Sequence, residues 1–275
     1  MSEIKLLALD MDGTSYEPMG EIVSKNKDAI IQVIEKNIPV VFITGRPIHS
    51  PKNKLLENGF LSSNTIMAGF NGACIFDLKN QKVIDANPIP KELVNQVFQL
   101  TIKEEFQDVI VWGYSTDFKE SVINNLNTNS SEIIKEQKFF TGDFVSFEDL
   151  KGPYDKDCYK LLIFNFEESF IKELKKMGLE TAVNINKTAC EVNAKNINKK
   201  HAIKFLEETF KIDAKNMMAM GDGSNDIPMM EYVGFPVSFT NCVDHIKKIA
   251  KAHIDLDWSQ AAVSEAINKY ILKNN

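Results

Sequence analysis

The sequence predicts an α/β fold, a parallel-sheet core interrupted by an inserted α+β domain. At both ends of the chain, short apolar runs that stop at aspartate or glycine alternate with amphipathic helical patterns, as in parallel sheets covered by helices. The middle has shorter elements and a different charge balance, with 18 acids against 12 lysines in residues 83–187, whereas the remainder has 20 charges of each sign. We therefore assign residues 1–82 and 188–275 to the core and residues 83–187 to the inserted domain.

The composition excludes several classes of protein. With 275 residues, 44% of them hydrophobic and 25% charged, the chain is typical of a globular protein with a substantial core. A net charge of −6 argues against nucleic acid as a partner. No apolar run reaches the roughly 18 residues that span a bilayer, and only Met1, Ser2 and Glu3 precede the first strand, so we expect no membrane segment, no signal peptide and a cytoplasmic location. Wide spacing favours buried free thiols at all four cysteines, Cys74, Cys158, Cys190 and Cys242.

The first predicted strand ends at two carboxylates. The run Ile4–Leu9 is apolar apart from Lys5, which is typical of a strand buried on both faces. Asp10 ends it and Asp12 lies two positions on, so both side chains can lean into one pocket at the carboxyl end of the sheet. Their repulsion requires a shared proton or a bound cation. The alternative is a solvated turn. An EF-hand calcium loop is excluded, because it needs glycine at its sixth position, whereas in this chain glycine stands fourth from Asp10, at Gly13.

A second predicted strand ends at a potential anion site. A helix that Ser24 can cap ends near residue 37, and a buried strand follows at 39–43. Thr44 and Gly45 then stand just before a helix predicted over 47–59, where backbone N–H groups and the helix dipole favour an anion. The alternative is a plain turn from strand to helix, with Thr44 as its cap.

Arginine occurs once, at Arg46, against 31 lysines. A planar, two-pronged guanidinium suits phosphate, a carboxylate or a fixed pair between domains better than an ammonium does. The alternative is a chance residue in a lysine-rich chain. Its place directly after Thr44 and Gly45 favours a functional role.

The segment that follows predicts short alternating elements. Asn71 and Gly72 predict a hairpin turn. Trp112 and Tyr114 are expected to pack in a core. The remaining predictions are strands at 66–68, 73–76, 82–84, 109–112, 159–165, 181–183 and 188–192, and helices at 91–105, 121–137 and 167–177.

A lysine opens the helix that returns the chain to the core. Asn198 can cap a helix over residues 199–210, which places Lys199 in the first turn. A cation there opposes the helix dipole. A bound anion would offset that cost, and the alternative is a solvated lysine.

The predicted strand Met217–Met220 ends at a second set of acids. Asp222 follows it closely, Asp226 lies four positions further on, and Asn225 can help to cap the next helix. Because the carboxyl ends of parallel strands lie at one edge of a sheet, Asp222 is expected to approach Asp10, and a site with oxygen ligands only suits Mg²⁺. A strand at 235–239 and helices at 242–250 and 260–271 complete the prediction.

Four motifs in this order resemble those of the haloacid dehalogenase superfamily of phosphohydrolases, and specifically its Cof-type branch with a type IIB cap domain. They are Asp10-Met11-Asp12-Gly13-Thr14, Thr44-Gly45-Arg46, Lys199 and Gly221-Asp222-Gly223-Ser224-Asn225-Asp226. Each motif alone is weakly specific, whereas all four in order are strongly so, and they extend the resemblance over nearly the whole chain. The resemblance implies a Rossmann-like core, with residues 83–187 as the cap.

The resemblance also implies a magnesium-dependent phosphatase that hydrolyses a small phosphorylated metabolite, such as a sugar phosphate, through an aspartyl-phosphate. Asp10 would be the nucleophile and Asp12 the general acid and base. Mg²⁺ would be held by Asp10, the main-chain carbonyl of Asp12 and Asp222, with Asp226 supporting them from behind. The groups implied to bind phosphate or substrate are the N–H of Met11, Thr44, Gly45, Arg46, Lys199 and Asn225.

Departures and alternatives stay open. The third motif reads Asn198-Lys199-Lys200-His201, so Lys200 competes with Lys199 as a phosphate ligand, and residues 234–241 are looser than the usual pattern. A phosphomutase of the same superfamily would return the phosphoryl group to a sugar. A phospho-accepting signalling domain would be a switch, but it needs far fewer residues and has no acid two positions after its acceptor. The sequence specifies neither the substrate, nor the cap residues that select it, nor the oligomeric state.

Overall fold

The structure is a computed structural model that describes residues 3–18, 20–48, 54–60, 65–124, 126, 130–137, 140 and 142–273. The chain splits into two compact units, a core unit of Met1–Ile84 and Asn198–Asn275 and an inserted unit of Asp85–Ile197. Within the described residues, no helix combines the length and the apolar character that a membrane crossing requires.

The helices and strands are numbered in chain order. The helices are α1 (Ser24–Glu35), α2 (Lys91–Leu100), α3 (Ser131–Gln137), α4 (Glu168–Lys176), α5 (Lys199–Phe210), α6 (Ile227–Tyr232), α7 (Asp244–Ile249) and α8 (Ala262–Ile267). The strands are β1 (Leu6–Leu9), β2 (Val40–Phe42), β3 (Ile66–Gly69), β4 (Cys74–Asp77), β5 (Lys82–Ala86), β6 (Ile110–Ser115), β7 (Glu120–Ile123), β8 (Asp143–Ser146), β9 (Cys158–Phe164), β10 (Glu180–Val183), β11 (Ala189–Asn193), β12 (Met217–Met220), β13 (Phe235–Phe239) and β14 (Ala252–Ile254).

The core unit contains a five-stranded parallel sheet with the order β14-β13-β12-β1-β2. Every residue of β1 and β12 is completely buried, as expected for central strands of a sheet that is covered on both faces. The continuous apolar runs of the sequence therefore correspond to the middle of this sheet. Strand β14, which was not predicted, forms its edge.

Helices and a small second sheet complete the core unit. Helix α1 packs on α8, and α6 packs on both α5 and α7. The predicted cap of α1 by Ser24 is wrong, because Ser24 is its first residue and no side chain caps it. Strands β3, β4 and β5 form the second sheet. Of the helix predicted over 47–59, residues 54–57 are helical, whereas residues 49–53 lie outside the described part of the chain.

The inserted unit is a six-stranded sheet with the order β10-β11-β9-β6-β7-β8. Its neighbours pair antiparallel except for β7 and β8, which are parallel. Helices α2 and α4 bury their apolar side chains against one face of the sheet, where Phe98 and Phe170 join Val111 and Leu161 in one cluster. Trp112 and Tyr114, which alternate with Val111 along β6, are also buried.

Two predictions about the middle of the chain differ from the structure. The helix predicted over 121–137 is wrong in its first part, because Ser121 and Ile123 pair with Tyr114 and Trp112 in strand β7. Antiparallel pairing with the preceding strand β6 overrides a polar, helix-like pattern. The inserted unit also continues to Ile197 and not to residue 187, since β11 pairs with both β9 and β10.

Candidate active site

The site forms where three neighbouring strands of the core sheet end. Strands β12, β1 and β2 are adjacent and parallel, so the residues that follow them lie at one edge of the sheet. These residues are Asp222, Asp10 and Thr44. The N–H of Asp10 donates to the carbonyl of Met220 at 3.0 Å, which extends the pairing of β1 and β12 to Asp10.

A buried lysine connects two carboxylates of the site. The Oδ1 atom of Asn198 accepts a hydrogen bond from the N–H of Lys200, so the predicted cap of α5 is confirmed. Lys199 is fully buried, and its Nζ lies 2.5 Å from Oδ1 of Asp10 and 2.5 Å from Oδ1 of Asp226. Burial alone would lower the pKa of Lys199, but these two carboxylates raise it above its ordinary value. The ammonium group therefore stays charged.

Asp222 comes within reach of the first motif. Its Oδ1 accepts a hydrogen bond from the Thr14 hydroxyl at 3.0 Å. Gly13 has a φ of +69°, and a Cβ added there would lie 3.1 Å from Oδ2 of Asp222. Both the left-handed backbone and this close approach require glycine at the position.

Three carboxylates converge at this point. Asp10, Asp222 and Asp226 each offer one oxygen, and these oxygens all lie within 4.8 Å of one another. Burial raises the pKa of Asp10 well above its ordinary value, and the charges of Asp226 and Asp222 add to that effect while Lys199 opposes it. Burial and the charge of Asp226 raise the pKa of Asp222 to about 7. Full ionisation of the group is therefore unfavourable without a further cation.

This donor set fits a divalent metal ion. Three carboxylates and one ammonium leave two negative charges in excess when all are ionised, and a divalent cation would cancel them. Carboxylate oxygens are ligands that hard cations prefer. The group contains the two carboxylates that the resemblance implied, those of Asp10 and Asp222, and Asp226 joins them directly. The implied contribution of Asp12 is its main-chain carbonyl, which is not a side-chain donor.

The single arginine contacts the second aspartate of the first motif. The Nε atom of Arg46 donates to Oδ2 of Asp12 at 2.5 Å, and Nη2 donates to Oδ1 of the same carboxylate. The side chain of Arg46 is 10% exposed and that of Asp12 is 35% exposed. The sequence analysis named phosphate, a carboxylate and a pair between domains as suitable partners for Arg46. In this structure its partner is a carboxylate.

The second motif is held by backbone hydrogen bonds. Thr44 is buried, its N–H donates to the carbonyl of Ala68, and its carbonyl accepts the N–H of Asn71, both at 2.9 Å. The Thr44 hydroxyl oxygen accepts the N–H of Arg46 at 3.1 Å, so its proton can still be donated to an anion. Gly45 lies between these two residues in the loop after β2.

Tight turns and asparagine side chains hold the loop of the first motif. The carbonyl of Met11, a fully buried residue, accepts the N–H groups of Thr14 and Tyr16. Nδ2 of Asn241 donates to the carbonyl of Gly13 at 3.0 Å, and its Oδ1 accepts the N–H of Trp258. The looser segment around residue 241 thus still supports the loop.

Asn71 belongs to the site, although the sequence analysis assigned it only to a turn. Nδ2 of Asn225 donates to Oδ1 of Asn71 at 3.2 Å. Asn71 is buried with a φ of 59° and follows Phe70, whose φ is also positive. The Asn-Gly pair does join β3 to β4, as predicted, but it also brings the amide of Asn71 to the fourth motif. The sequence signal for the position of Asn71 was the Asn-Gly pair itself, because asparagine tolerates a backbone with positive φ.

The two candidate lysines of the third motif have different surroundings. Lys199 contacts Asp10 and Asp226 as described. The Nζ atom of Lys200 lies 5.0 Å from the centre of the Tyr232 ring. Of the two, the geometry favours Lys199 as the cation of the site.

The chain is similar to known proteins over nearly its whole length. The family model of the haloacid dehalogenase-like hydrolases matches residues 7–267 of this sequence. The chain is 28% identical over 277 residues to the 5-amino-6-(5-phospho-D-ribitylamino)uracil phosphatase YcsE of Bacillus subtilis (strain 168), covering 98% of this chain and 97% of the relative.

Solved structures share the fold. The structure of SMU.1108c from Streptococcus mutans UA159 has a TM-score of 0.82 at 20% identity, with 98% of this chain and 100% of that chain covered. A subclass IIB sugar phosphatase, BT4131, has a TM-score of 0.79 at 22% identity, with 97% and 98% covered.

The predicted fold class and family resemblance are confirmed. A parallel-sheet core with an additional sheet unit is the architecture that this chain shares with the subclass IIB structure. The family match spans all four motifs. The chain therefore belongs to the haloacid dehalogenase-like hydrolase family, and it is a phosphatase of that family.

Proposed function

We propose that this phosphatase hydrolyses a small phosphorylated metabolite in a magnesium-dependent reaction that passes through an aspartyl-phosphate on Asp10. The observation that carries the proposal is the convergence of Asp10, Asp222 and Asp226 within 4.8 Å, with Lys199 in contact with Asp10. This arrangement combines a nucleophilic carboxylate, oxygen ligands for a cation and a fixed positive charge.

In the first half-reaction, a carboxylate oxygen of Asp10 attacks phosphorus. The bond from phosphorus to the ester oxygen breaks, and its electron pair stays on that oxygen. Asp12 gives its proton to the departing oxygen, so the alcohol leaves in neutral form. Lys199, whose Nζ lies 2.5 Å from Oδ1 of Asp10, favours the ionised nucleophile against the effect of burial.

In the second half-reaction, water attacks phosphorus of the aspartyl-phosphate. The carboxylate of Asp12 takes a proton from that water. The bond between phosphorus and the Asp10 oxygen breaks, which restores the Asp10 carboxylate and releases inorganic phosphate. We assign the phosphate oxygens to the N–H groups of Met11 and Gly45, the Thr44 hydroxyl, the Lys199 ammonium and the Asn225 amide.

The residues proposed to hold Mg²⁺ are Asp10, Asp222 and the main-chain carbonyl of Asp12, with Asp226 next to them. The raised pKa values of Asp10 and Asp222 support a cation here, because both carboxylates gain from a nearby positive charge. When bound, the ion neutralises charge on the nucleophile and on the phosphate, so that the two anions can meet.

The proposed substrates are phosphomonoesters of a sugar or a sugar alcohol. The Bacillus subtilis relative is named for a substrate with a phosphorylated ribityl group, and BT4131 is named a sugar phosphatase. Both names describe a phosphate on a polyol carbon. We extend this common feature to the present chain.

The test is phosphate release from a panel of sugar, sugar-alcohol and nucleotide phosphomonoesters, with Mg²⁺ and with chelator. We expect turnover of polyol phosphates that chelator abolishes and that Asp10→Asn lowers by more than about 10³-fold. Asp28→Asn, an exposed change on α1, serves as the control and should leave the rate unchanged.

Three results would contradict the proposal. Turnover that persists in chelator excludes the role of a metal ion. An active Asp10→Asn variant excludes the covalent route, which rapid quenching and mass measurement of a phosphorylated chain would otherwise detect. Transfer of the phosphoryl group to a second sugar without phosphate release identifies a mutase.

A further inference from the structure

The contact between Arg46 and Asp12 is a two-pronged ion pair. The Nε and Nη2 atoms of Arg46 donate to the two different oxygens of the Asp12 carboxylate. Parallel bonds of this kind fix the plane of a carboxylate as well as its position, which a lysine ammonium cannot do. In a chain with 31 lysines and one arginine, the arginine stands where such a fork is used.

The backbone of Arg46 is anchored on both sides of the side chain. Its N–H donates to the Thr44 hydroxyl oxygen at 3.1 Å, and its carbonyl accepts the N–H of Phe70 at 3.0 Å. The side chain itself is only 10% exposed. The guanidinium is therefore a fixed group, and Asp12, which is 35% exposed, is the more accessible member of the pair.

The carboxylate of Asp12 needs such a support. It is the acid of the first motif that does not join the group formed by Asp10, Asp222 and Asp226. General acid catalysis requires the carboxyl group to stand within hydrogen-bond reach of the departing oxygen. A side chain left free to rotate at the surface would spend most of its time elsewhere.

We propose that Arg46 is a positioning residue, which orients the Asp12 carboxylate toward the leaving group and does not bind the substrate phosphate. The inference rests on the proposed function of Asp12 as general acid and base. It replaces the expectation from the sequence that Arg46 contacts phosphate or substrate.

The inference predicts a dependence on the leaving group. In the first half-reaction, the electron pair of the broken bond stays on the departing oxygen, which takes its proton from Asp12. An alkoxide needs this proton, whereas p-nitrophenolate is a stable anion and leaves without it. The value of kcat/KM includes only the steps up to release of the alcohol or phenol, so it isolates this half-reaction from the attack of water.

The experiment compares kcat/KM for glycerol phosphate and p-nitrophenyl phosphate in the full chain with Mg²⁺. For Arg46→Ala we expect a loss on the order of 10²-fold with glycerol phosphate and less than about tenfold with p-nitrophenyl phosphate. Arg46→Lys keeps the charge without the fork and should show the same selective loss. Lys204→Met, which removes a cation near the Tyr232 ring, is the control, and urea unfolding of each variant checks that it folds.

A double-mutant cycle separates the two roles of Arg46. If Arg46 acts through Asp12, then Arg46→Ala has no further effect on kcat/KM in an Asp12→Ala background. The inhibition constant of inorganic phosphate should also stay within about threefold of wild type. An equal loss with both substrates, or an inhibition constant raised by more than about tenfold, would show that Arg46 binds phosphate and overturn the inference.

A spectroscopic test needs no turnover, because the chain has a single arginine. Labelling with ¹⁵N-arginine gives one Nε–H signal, which belongs to Arg46 without further assignment. We expect slow exchange of this proton with water in the wild type, fast exchange in Asp12→Ala, and little change on addition of inorganic phosphate. Fast exchange in the wild type would refute the ion pair. Absence of any phosphatase activity together with a protected signal would refute the proposed function and leave the pair intact.

Discussion

Replacing Asp222 with asparagine should stabilise the metal-free protein, although the proposed reaction needs this acid. Burial and the charge of Asp226 raise the pKa of Asp222 from 3.8 to about 7. A difference of about three pKa units corresponds to about 4 kcal/mol, at roughly 1.4 kcal/mol per unit. Asparagine carries no charge, and its Oδ1 can still accept the hydrogen bond from Thr14. We expect the free energy of unfolding in chelator at about pH 8 to rise by up to about 4 kcal/mol.

The gain should depend on pH in a defined direction. Because the folded-state pKa of Asp222 lies above its unfolded value, the acid contributes stability at low pH that is lost as the pH rises from about 4 to about 7. Asparagine has no such loss. The two proteins should therefore have similar stability near pH 4, and their difference should grow up to about pH 7 and then remain constant.

Urea unfolding at several pH values measures this difference, with Asp28→Asn as the matched control. Added Mg²⁺ should stabilise the wild type but not the Asp222→Asn variant, because only the former offers the full set of carboxylates. If the variant and the wild type unfold at the same urea concentration at about pH 8 in chelator, or if their difference does not change with pH, then the three carboxylates do not repel one another and the basis for a cation site is lost.

Two further comparisons test the surroundings of Asp10. Lys199→Met should abolish turnover and lower the free energy of unfolding by about 3–5 kcal/mol at neutral pH, because it leaves buried carboxylates without their counter-charge. Lys200→Met should keep phosphate release and the urea midpoint near their wild-type values. If Lys200→Met lost more activity and stability than Lys199→Met, Lys200 and not Lys199 would be the cation of the site. Asn71→Gly accepts the φ of 59° and removes only the amide, so kcat/KM should fall with little change in stability, whereas Asn71→Ala should add about 1 kcal/mol of backbone strain. Full activity of Asn71→Gly would show that the contact with Asn225 plays no part in the reaction.

The sequence predicted the core fold and most of the candidate site from local patterns. Continuous apolar runs identified the central strands β1 and β12, because strands buried on both faces cannot alternate with polar residues. The acids directly after these runs identified Asp10 and Asp222, since neighbouring parallel strands end at one edge of the sheet. The one arginine among many lysines marked Arg46 before its partner was known.

The sequence patterns failed where pairing with other strands decides the local structure. The polar pattern of residues 121–137 predicted a helix, but pairing with β6 makes residues 121–123 part of a strand. Strand β11 was assigned to the core, and its pairing with β9 places it in the inserted sheet. A strand gains its stability from partners that can lie anywhere in the chain.

Only the tertiary structure decided how the charged residues of the site are paired. Lys199 and Asp10 are 189 positions apart, and Arg46 and Asp12 are 34 apart, so no helical or strand period relates them. The structure also places the ammonium of Lys199 against Asp10 and Asp226, groups Asp226 with Asp10 and Asp222, and brings Asn71 to Asn225. The sequence thus determined which chemical groups stand at the ends of the strands. The adjacency of β1, β2 and β12 determined which of those groups touch, because electrostatic and hydrogen-bond contacts depend on distance in space.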